Sequence, residues 1–161
     1  MGNRATIVVQ GALVGALYVI LTVISNMFGL ASGVIQIRLS EALTILPVFT
    51  PAAIPGLFVG CIISNIITGC MPLDVIFGAL ATLAGAYGTY LLRKRKMLAS
   101  IPPILANVLV IPWVLSLVYS FEGSILYFTI TVLVGEFISA GLLGQLLLKL
   151  IEPHAERIGW K

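Results

Sequence analysis

Hydrophobic residues run along the chain in six blocks, which are separated by short segments rich in Gly, Pro or charged residues. The blocks cover about 5–25, 39–49, 52–68, 73–92, 101–119 and 125–151. Apolar runs of roughly 20 residues are typical of transmembrane helices, but the second block is too short to cross a bilayer alone. The pattern predicts six helices, with the second either extending into the preceding loop or partly buried by its neighbours.

The amino-acid composition argues against a soluble protein. The chain has 161 residues, of which 60% are hydrophobic and 9% are charged, with a mean hydropathy of +1.14. A soluble domain carries about a quarter charged residues, because its surface must face water. We therefore expect an all-α integral membrane protein, a compact bundle of six transmembrane helices that forms a single membrane-embedded domain over residues 1–161.

The basic residues indicate an orientation. Arg93–Lys96 lies between the fourth and fifth blocks, and short loops rich in Lys and Arg stay in the cytoplasm. Six crossings then place both termini in the cytoplasm, which agrees with the basic residues near the two ends, Arg4, Lys149, Arg157 and Lys161. The basic run is thus a topology signal and not a nucleic-acid site, and Arg38 alone falls on the outer side.

Charged and amide side chains within this apolar chain are the candidates for binding a solute. They are Arg38, Glu41, Asn65, Asp74, Asn107 and Glu136. A charge inside the bilayer costs at least about 2.5 kcal/mol, so such residues usually face protein or water and serve a function. Glu136 is the strongest candidate, because it lies midway along the sixth block.

The other candidates also have structural interpretations. Asp74 is able to cap the fourth helix, and Arg38 with Glu41 is able to form an ion pair at the outer mouth, where water still reaches both. Asn65 and Asn107 are able to link helices by hydrogen bonds. In the functional interpretation, residues 34–38 form a short extended lid, Glu41 faces the pocket and Arg38 orients it.

Helix geometry brings two of these residues together. If the fifth and sixth helices pack antiparallel, Asn107 and Glu136 both lie nearly 20 Å from the intervening turn, at about 1.5 Å per residue. We expect them to share one cavity, with Asp74 at a different depth from Glu136.

Small residues mark a second surface. Gly11, Ala12, Gly15 and Ala16 give two overlapping small-xxx-small pairs in the first helix, which allow close approach of another helix. Either this surface packs inside the bundle or, as we prefer, it docks a partner protein.

Sequence motifs for catalysis are missing. The chain has no Gly-rich phosphate loop and no nucleophile-base pair, and Cys61, Cys70 and His154 lack the spacing of metal ligands. We expect no enzyme activity, no metal and no cofactor. A binding subunit that relies on a partner for energy fits the sequence best.

Four segments together resemble a known family. They are QIRLSEALTILPVFTPAAIPGLFVGCIISN at 36–65, LDVIFGALATL at 73–83, PPILANVLV at 102–110 and VGEFIS at 134–139. The chain is similar to the QueT family, which belongs to the S components, or substrate-binding subunits, of energy-coupling factor (ECF) transporters in the bacterial cytoplasmic membrane. The family is assigned to uptake of queuosine precursors, deazaguanines such as pre-queuosine or queuine.

The resemblance implies a ligand and partners. An outward-facing pocket would hold the ligand, with Glu136 and Asn107 at its amino-pyrimidinone edge and Asp74 or Glu41 near a cationic aminomethyl group. Ala12 and Ala16, as an AxxxA motif, would contact a transmembrane coupling subunit that carries two cytoplasmic ATPase subunits. Two alternatives remain open: an S component for another vitamin or purine-like solute, and a structural membrane protein without a solute site.

Overall fold

The computed structural model describes residues 4–30, 36–119, 123–157 and 159–160. Their regular secondary structure is entirely helical. Of the predicted extended lid at 34–38, residues 34 and 35 lie outside the described residues, and residues 36–38 have no regular secondary structure.

Six long helical segments follow one another along the described chain, as the hydrophobic blocks predict. They are α1 (Arg4–Met27), a 3₁₀ helix (Leu39–Val48), α2 (Ala53–Ile67), α3 (Pro72–Leu91), α4 (Ile101–Leu117) and a last segment in three parts. This last segment consists of α5 (Ile125–Glu136), a π-helical turn (Phe137–Leu143) and α6 (Gly144–Ile151). Single 3₁₀ turns at Lys96–Leu98 and Glu152–His154 complete the described elements.

Three stretches of the described chain are long and apolar enough to cross a membrane. They are Arg4–Met27, Lys96–Leu117 and Ile125–His154, while the 3₁₀ helix and α2 are apolar but shorter. The described chain is thus all-helical with three stretches able to cross a membrane, whereas a total of six crossings stays a prediction.

The short second segment lies inside the bundle. Every residue from Ser40 to Pro47 is buried, and the 3₁₀ helix packs against α1, α3, α6 and the π-helical turn. A 3₁₀ helix of this length is uncommon, because its hydrogen bonds have poorer geometry than those of an α-helix. Its surroundings therefore supply much of what holds it in place, and the second of the two alternatives for this block, burial by its neighbours, is confirmed.

Part of the small-residue surface on α1 is used for internal packing. A Cβ atom on Gly15 would lie 3.0 Å from the Gly56 carbonyl oxygen, and one on Gly60 would lie 2.8 Å from the Gly15 carbonyl oxygen. Gly11 is buried in the same α1–α2 contact, while Ala12 and Ala16 are exposed. The glycines therefore permit close backbone contact between α1 and α2, and Gly11, Ala12, Gly15 and Ala16 all line one apolar groove beside this contact.

Several contacts gather the basic residues at one end of the bundle. Lys96 forms an ion pair with Glu152, which joins the loop after α3 to the turn after α6. The Gln10 side-chain amide donates a hydrogen bond to the Gly159 carbonyl oxygen at 3.0 Å. The start of α1, the basic loop and the last described residues thus lie together at the end opposite Asp74 and residues 36–38.

Candidate functional site

A small cavity lies between the 3₁₀ helix, α3, α4 and α5. Its volume is about 20 Å³, which is room for about one water molecule. Its polar lining consists of Gln36, Arg38, Glu41, Asp74, Thr82, Asn107 and Glu136, and its apolar lining includes Ile111, Leu115 and Val132. Five of the six candidate residues therefore line one cavity, and the sixth, Asn65, contacts Arg38.

Two carboxyl groups at this cavity are buried. Glu41 lies in the first turn of the 3₁₀ helix, and Glu136 is the last residue of α5 before the π-helical turn. Their side chains belong to residues that are 2% and 8% exposed, respectively. The expectation that Glu41 lies at an outer mouth reached by water is wrong, because neighbouring helices pack around the 3₁₀ helix on several sides.

Glu41 has a partner that sequence reasoning missed. The hydroxyl of Tyr18 on α1 donates a hydrogen bond to Glu41 Oε1, and Tyr18 is fully buried. Glu41 Oε2 has no hydrogen-bond partner among the described residues. A tyrosine in the middle of an apolar block was the available signal, since a buried phenol usually needs a hydrogen-bond partner.

Asn107 on α4 lines the cavity together with both carboxyl groups. The expected shared cavity for Asn107 and Glu136 is therefore present. Within the described chain, Oε2 of Glu136 is left without a hydrogen-bond partner, as is Oε2 of Glu41. An unpaired polar atom in a buried position is costly, which makes these two oxygens candidate acceptors for a bound solute.

Arg38 is the cation of the cavity. Its Nη2 donates a hydrogen bond of 2.7 Å to Asn65 Oδ1, and its charge acts on both Glu41 and Glu136. Among the described residues Arg38 forms no direct ion pair with a carboxyl group, so the expected Arg38–Glu41 ion pair is wrong. Asn65 instead binds the guanidinium group. The positive charge of Arg38 offsets the negative charges of both glutamates without direct contact.

Asp74 lies in the first turn of α3 and faces the same cavity. The Tyr119 hydroxyl donates a hydrogen bond of 2.7 Å to Asp74 Oδ2 and accepts one of 3.2 Å from the Met71 backbone N–H. Asp74 and Glu136 line the same cavity, while the expected difference in depth between them stays a prediction. Partial burial, together with the Asp74 carboxylate, raises the pKa of Tyr119 above its ordinary value.

The backbone of Gln36 lies directly against α5, at the residue before Glu136. A Cβ atom on Gly135 would lie 3.1 Å from the Gln36 carbonyl carbon, and closer still to its oxygen. The absence of a side chain at Gly135 therefore lets the backbone of Gln36 approach this helix. The π-helical turn begins at the next residue after Glu136, and such turns are frequent at functional sites.

The charges at the cavity are unequal. One cation, Arg38, faces three carboxyl groups, those of Glu41, Asp74 and Glu136. With two carboxyl oxygens unpaired, the arrangement can accept N–H groups from a polar or cationic solute. In the described part of the chain, no group of three or more His, Cys, Asp or Glu side chains is placed to hold a metal ion.

Comparison with known proteins finds a matching protein family. The model of the family described as QueT transporter matches residues 8–153. A protein of Lactococcus lactis subsp. cremoris (strain MG1363), named queuosine precursor transporter QueT, is 41% identical over 76 residues, which cover 47% of this chain and 44% of that relative. The aligned part is thus less than half of either protein. No solved structure matches the chain.

Proposed function

Because the chain belongs to the QueT transporter family, we propose that it is the substrate-binding subunit of an ECF-type transporter and captures a queuosine precursor from outside the cell. The family consists of transporters, which confirms the prediction that the chain is not an enzyme. The substrate is supported by the name of the Lactococcus relative and by the chemistry of the cavity.

The observation that carries this proposal is the pair of unpaired carboxyl oxygens, one on Glu41 and one on Glu136. A 7-deazaguanine carries an exocyclic amino group beside a ring N–H, so one carboxylate can accept hydrogen bonds from both. The amide of Asn107 can complement the neighbouring carbonyl oxygen of the base. The remaining carboxylates, including Asp74, suit the cationic aminomethyl group of pre-queuosine base.

The size of the cavity sets a condition on binding. A bicyclic base needs far more than the volume of about 20 Å³ that is present. Gln36 and Arg38 line the cavity together with Glu136, and residues 36–38 are not part of a regular helix. We infer that these residues move when the ligand enters, so that binding is an induced fit and not insertion into a preformed pocket.

The proposal includes the orientation of the protein in the membrane and the source of energy for transport. Six crossings with both termini in the cytoplasm, in a bacterial cytoplasmic membrane, fit the basic residues gathered at one end of the bundle. An apolar groove of about 580 Å³ between α1 and α2 includes Gly11, Ala12, Gly15 and Ala16 in its lining. In our proposal this groove contacts the transmembrane coupling subunit, and two cytoplasmic ATPase subunits bound to that subunit supply the energy.

Ligand binding to the purified protein tests the substrate. We expect 7-aminomethyl-7-deazaguanine to raise the melting temperature and to bind in calorimetry, whereas thiamine and biotin do neither. Glu136→Gln replaces an acceptor oxygen by a donor and should weaken binding by about 2–4 kcal/mol, roughly 30- to 1,000-fold. Glu156→Gln, which changes an exposed carboxyl at the basic end, is the matched control and should leave affinity unchanged.

The two remaining functions predict different results. An S component for another solute would respond to a different vitamin or purine and to no deazaguanine. A structural protein without a solute site would respond to none, and Glu136→Gln and Asn107→Ala would then change stability without changing uptake. Either result would refute the proposed substrate.

A further inference from the structure

One face of α1 carries polar side chains that bind the beginning of the 3₁₀ helix. Tyr18, Thr22 and Ser25 are spaced four and three residues apart, so they lie on the same side of α1. Their hydrogen bonds are Tyr18 Oη to Glu41 Oε1, Thr22 Oγ1 to Ser40 Oγ at 2.8 Å, and the Leu39 backbone N–H to Ser25 Oγ at 2.9 Å. We call these three residues the α1 polar row.

The polar row is buried. Tyr18 and Ser25 are 0% exposed and Thr22 is 1% exposed. A buried hydroxyl without a partner costs on the order of 1–3 kcal/mol, so Tyr18 strongly favours the arrangement in which its hydrogen bond to Glu41 forms. Thr22 Oγ1 and Ser25 Oγ also donate to the Tyr18 and Leu21 carbonyl oxygens of their own helix, so their contacts with the 3₁₀ helix add to bonds that are already made. Together they fix three successive residues, 39–41, against α1.

This contact decides where the Glu41 carboxyl group lies. Because the hydrogen bonds inside a 3₁₀ helix are weak, contacts with other elements largely determine its position. Tyr18 occupies Oε1 of Glu41, and Oε2 is the oxygen left unpaired at the cavity. Tyr18 itself is not part of the cavity lining, so any effect that it has on a bound solute must act through Glu41.

We propose that Tyr18 is a positioning residue for ligand binding, which holds Glu41 by one carboxyl oxygen so that the other is directed at the ligand. This inference rests on the proposed function, since it assumes that Glu41 contacts the solute. In this proposal Tyr18 affects ligand affinity from α1. It neither lines the cavity nor contacts the ligand. Thr22 and Ser25 support the same geometry by anchoring the two residues that precede Glu41.

A double-mutant cycle in ligand affinity tests this role. The variants are Tyr18→Phe, Glu41→Gln and the double variant, with 7-aminomethyl-7-deazaguanine as the probe. Tyr18→Phe removes only the hydroxyl and should weaken binding roughly tenfold. In the Glu41→Gln background the same change should produce little further loss, because a residue that acts through Glu41 has nothing left to position. Tyr87→Phe, at a residue that is 56% exposed on α3, is the matched control.

Additive losses would overturn the proposal, because a residue with a merely structural role weakens binding whether or not Glu41 is present. Unchanged affinity in Tyr18→Phe would overturn it as well.

A measurement without ligand keeps the two proposals separate. Infrared difference spectra of the Glu41→Gln variant against the unaltered protein identify the Glu41 carboxyl bands. Tyr18→Phe should shift those bands, because Oε1 loses its donor, and unshifted bands would refute the role of Tyr18 regardless of the ligand. If the unaltered protein binds no deazaguanine, the proposed function fails, and the bands still decide whether Tyr18 holds Glu41.

Discussion

Substituting Gly135 by alanine probes how closely residues 36–38 must lie on α5. Gly135 is buried, and an added Cβ would lie 3.1 Å from the Gln36 carbonyl carbon, 3.5 Å from its nitrogen and nearer still to its oxygen. Carbon atoms in good contact are about 3.5–4.0 Å apart. Because the neighbour is backbone and not a flexible side chain, the whole segment at Gln36 must move away.

Two opposing contributions set the change that Gly135→Ala causes in the free energy of unfolding. Overpacking of this kind costs about 1–3 kcal/mol, while replacing glycine by alanine in a helix gains up to about 1 kcal/mol. We expect a net loss of about 1–2 kcal/mol in the free energy of unfolding. Affinity for the deazaguanine should fall roughly tenfold, because the displaced segment carries Gln36 and Arg38, which line the cavity together with Glu136.

A second glycine of the same helical segment provides the control. A Cβ on Gly141 would have its nearest neighbour, Phe137 Cδ2, at 3.5 Å, which is an ordinary contact. Gly141→Ala should therefore leave stability unchanged or raise it by up to about 1 kcal/mol, without affecting affinity. The assay is reversible denaturation in mixed detergent micelles, with calorimetry for the ligand. Equal stabilities for the two variants would refute the close contact between Gly135 and Gln36.

Three further predictions follow from other contacts. Asn65→Ala removes the partner of Arg38 and should lower the free energy of unfolding by about 1–3 kcal/mol in the same assay; an unchanged stability would contradict the hydrogen bond. Ala16→Trp should abolish uptake in cells while purified protein keeps its affinity, whereas Leu105→Trp, on the exposed face of α4, should leave both intact; uptake lost in both variants would argue against a docking surface on α1. Tyr119 has a raised pKa in the folded state, so unfolded chains ionise it first as the pH rises above 10. Stability of the unaltered protein should therefore fall more steeply above pH 10 than that of Tyr119→Phe, and parallel pH profiles would disprove this.

Composition and local pattern were sufficient for the class of protein. Apolar blocks limited by Gly, Pro and charged residues predicted the six helical segments, because those signals act within a few residues of each helix end. Rise per residue alone placed Asn107 and Glu136 at one depth, and the structure has both at one cavity. Because charged residues are rare in the chain, Arg38, Glu41 and Asp74 were candidate site residues. All three line the same cavity.

Contacts between distant parts of the chain were beyond that reasoning. The partners Tyr18 and Glu41 are 23 residues apart, and Arg38 and Asn65 are 27 apart, so no spacing rule links them. The deep burial of Glu41 could not be foreseen either, since a short apolar block with one carboxylate is equally compatible with the membrane interface.

The sequence by itself therefore determined that the chain forms apolar helices, where they begin and end, and which rare polar residues need an explanation. These properties depend on local hydropathy and on helix geometry. Only the tertiary structure decided which oxygen of Glu41 is paired, that Asn65 and not Glu41 holds Arg38, and that Gly11 and Gly15 allow close contact with α2. Such choices depend on which helices meet and at what rotation, and the packing of the whole bundle sets both.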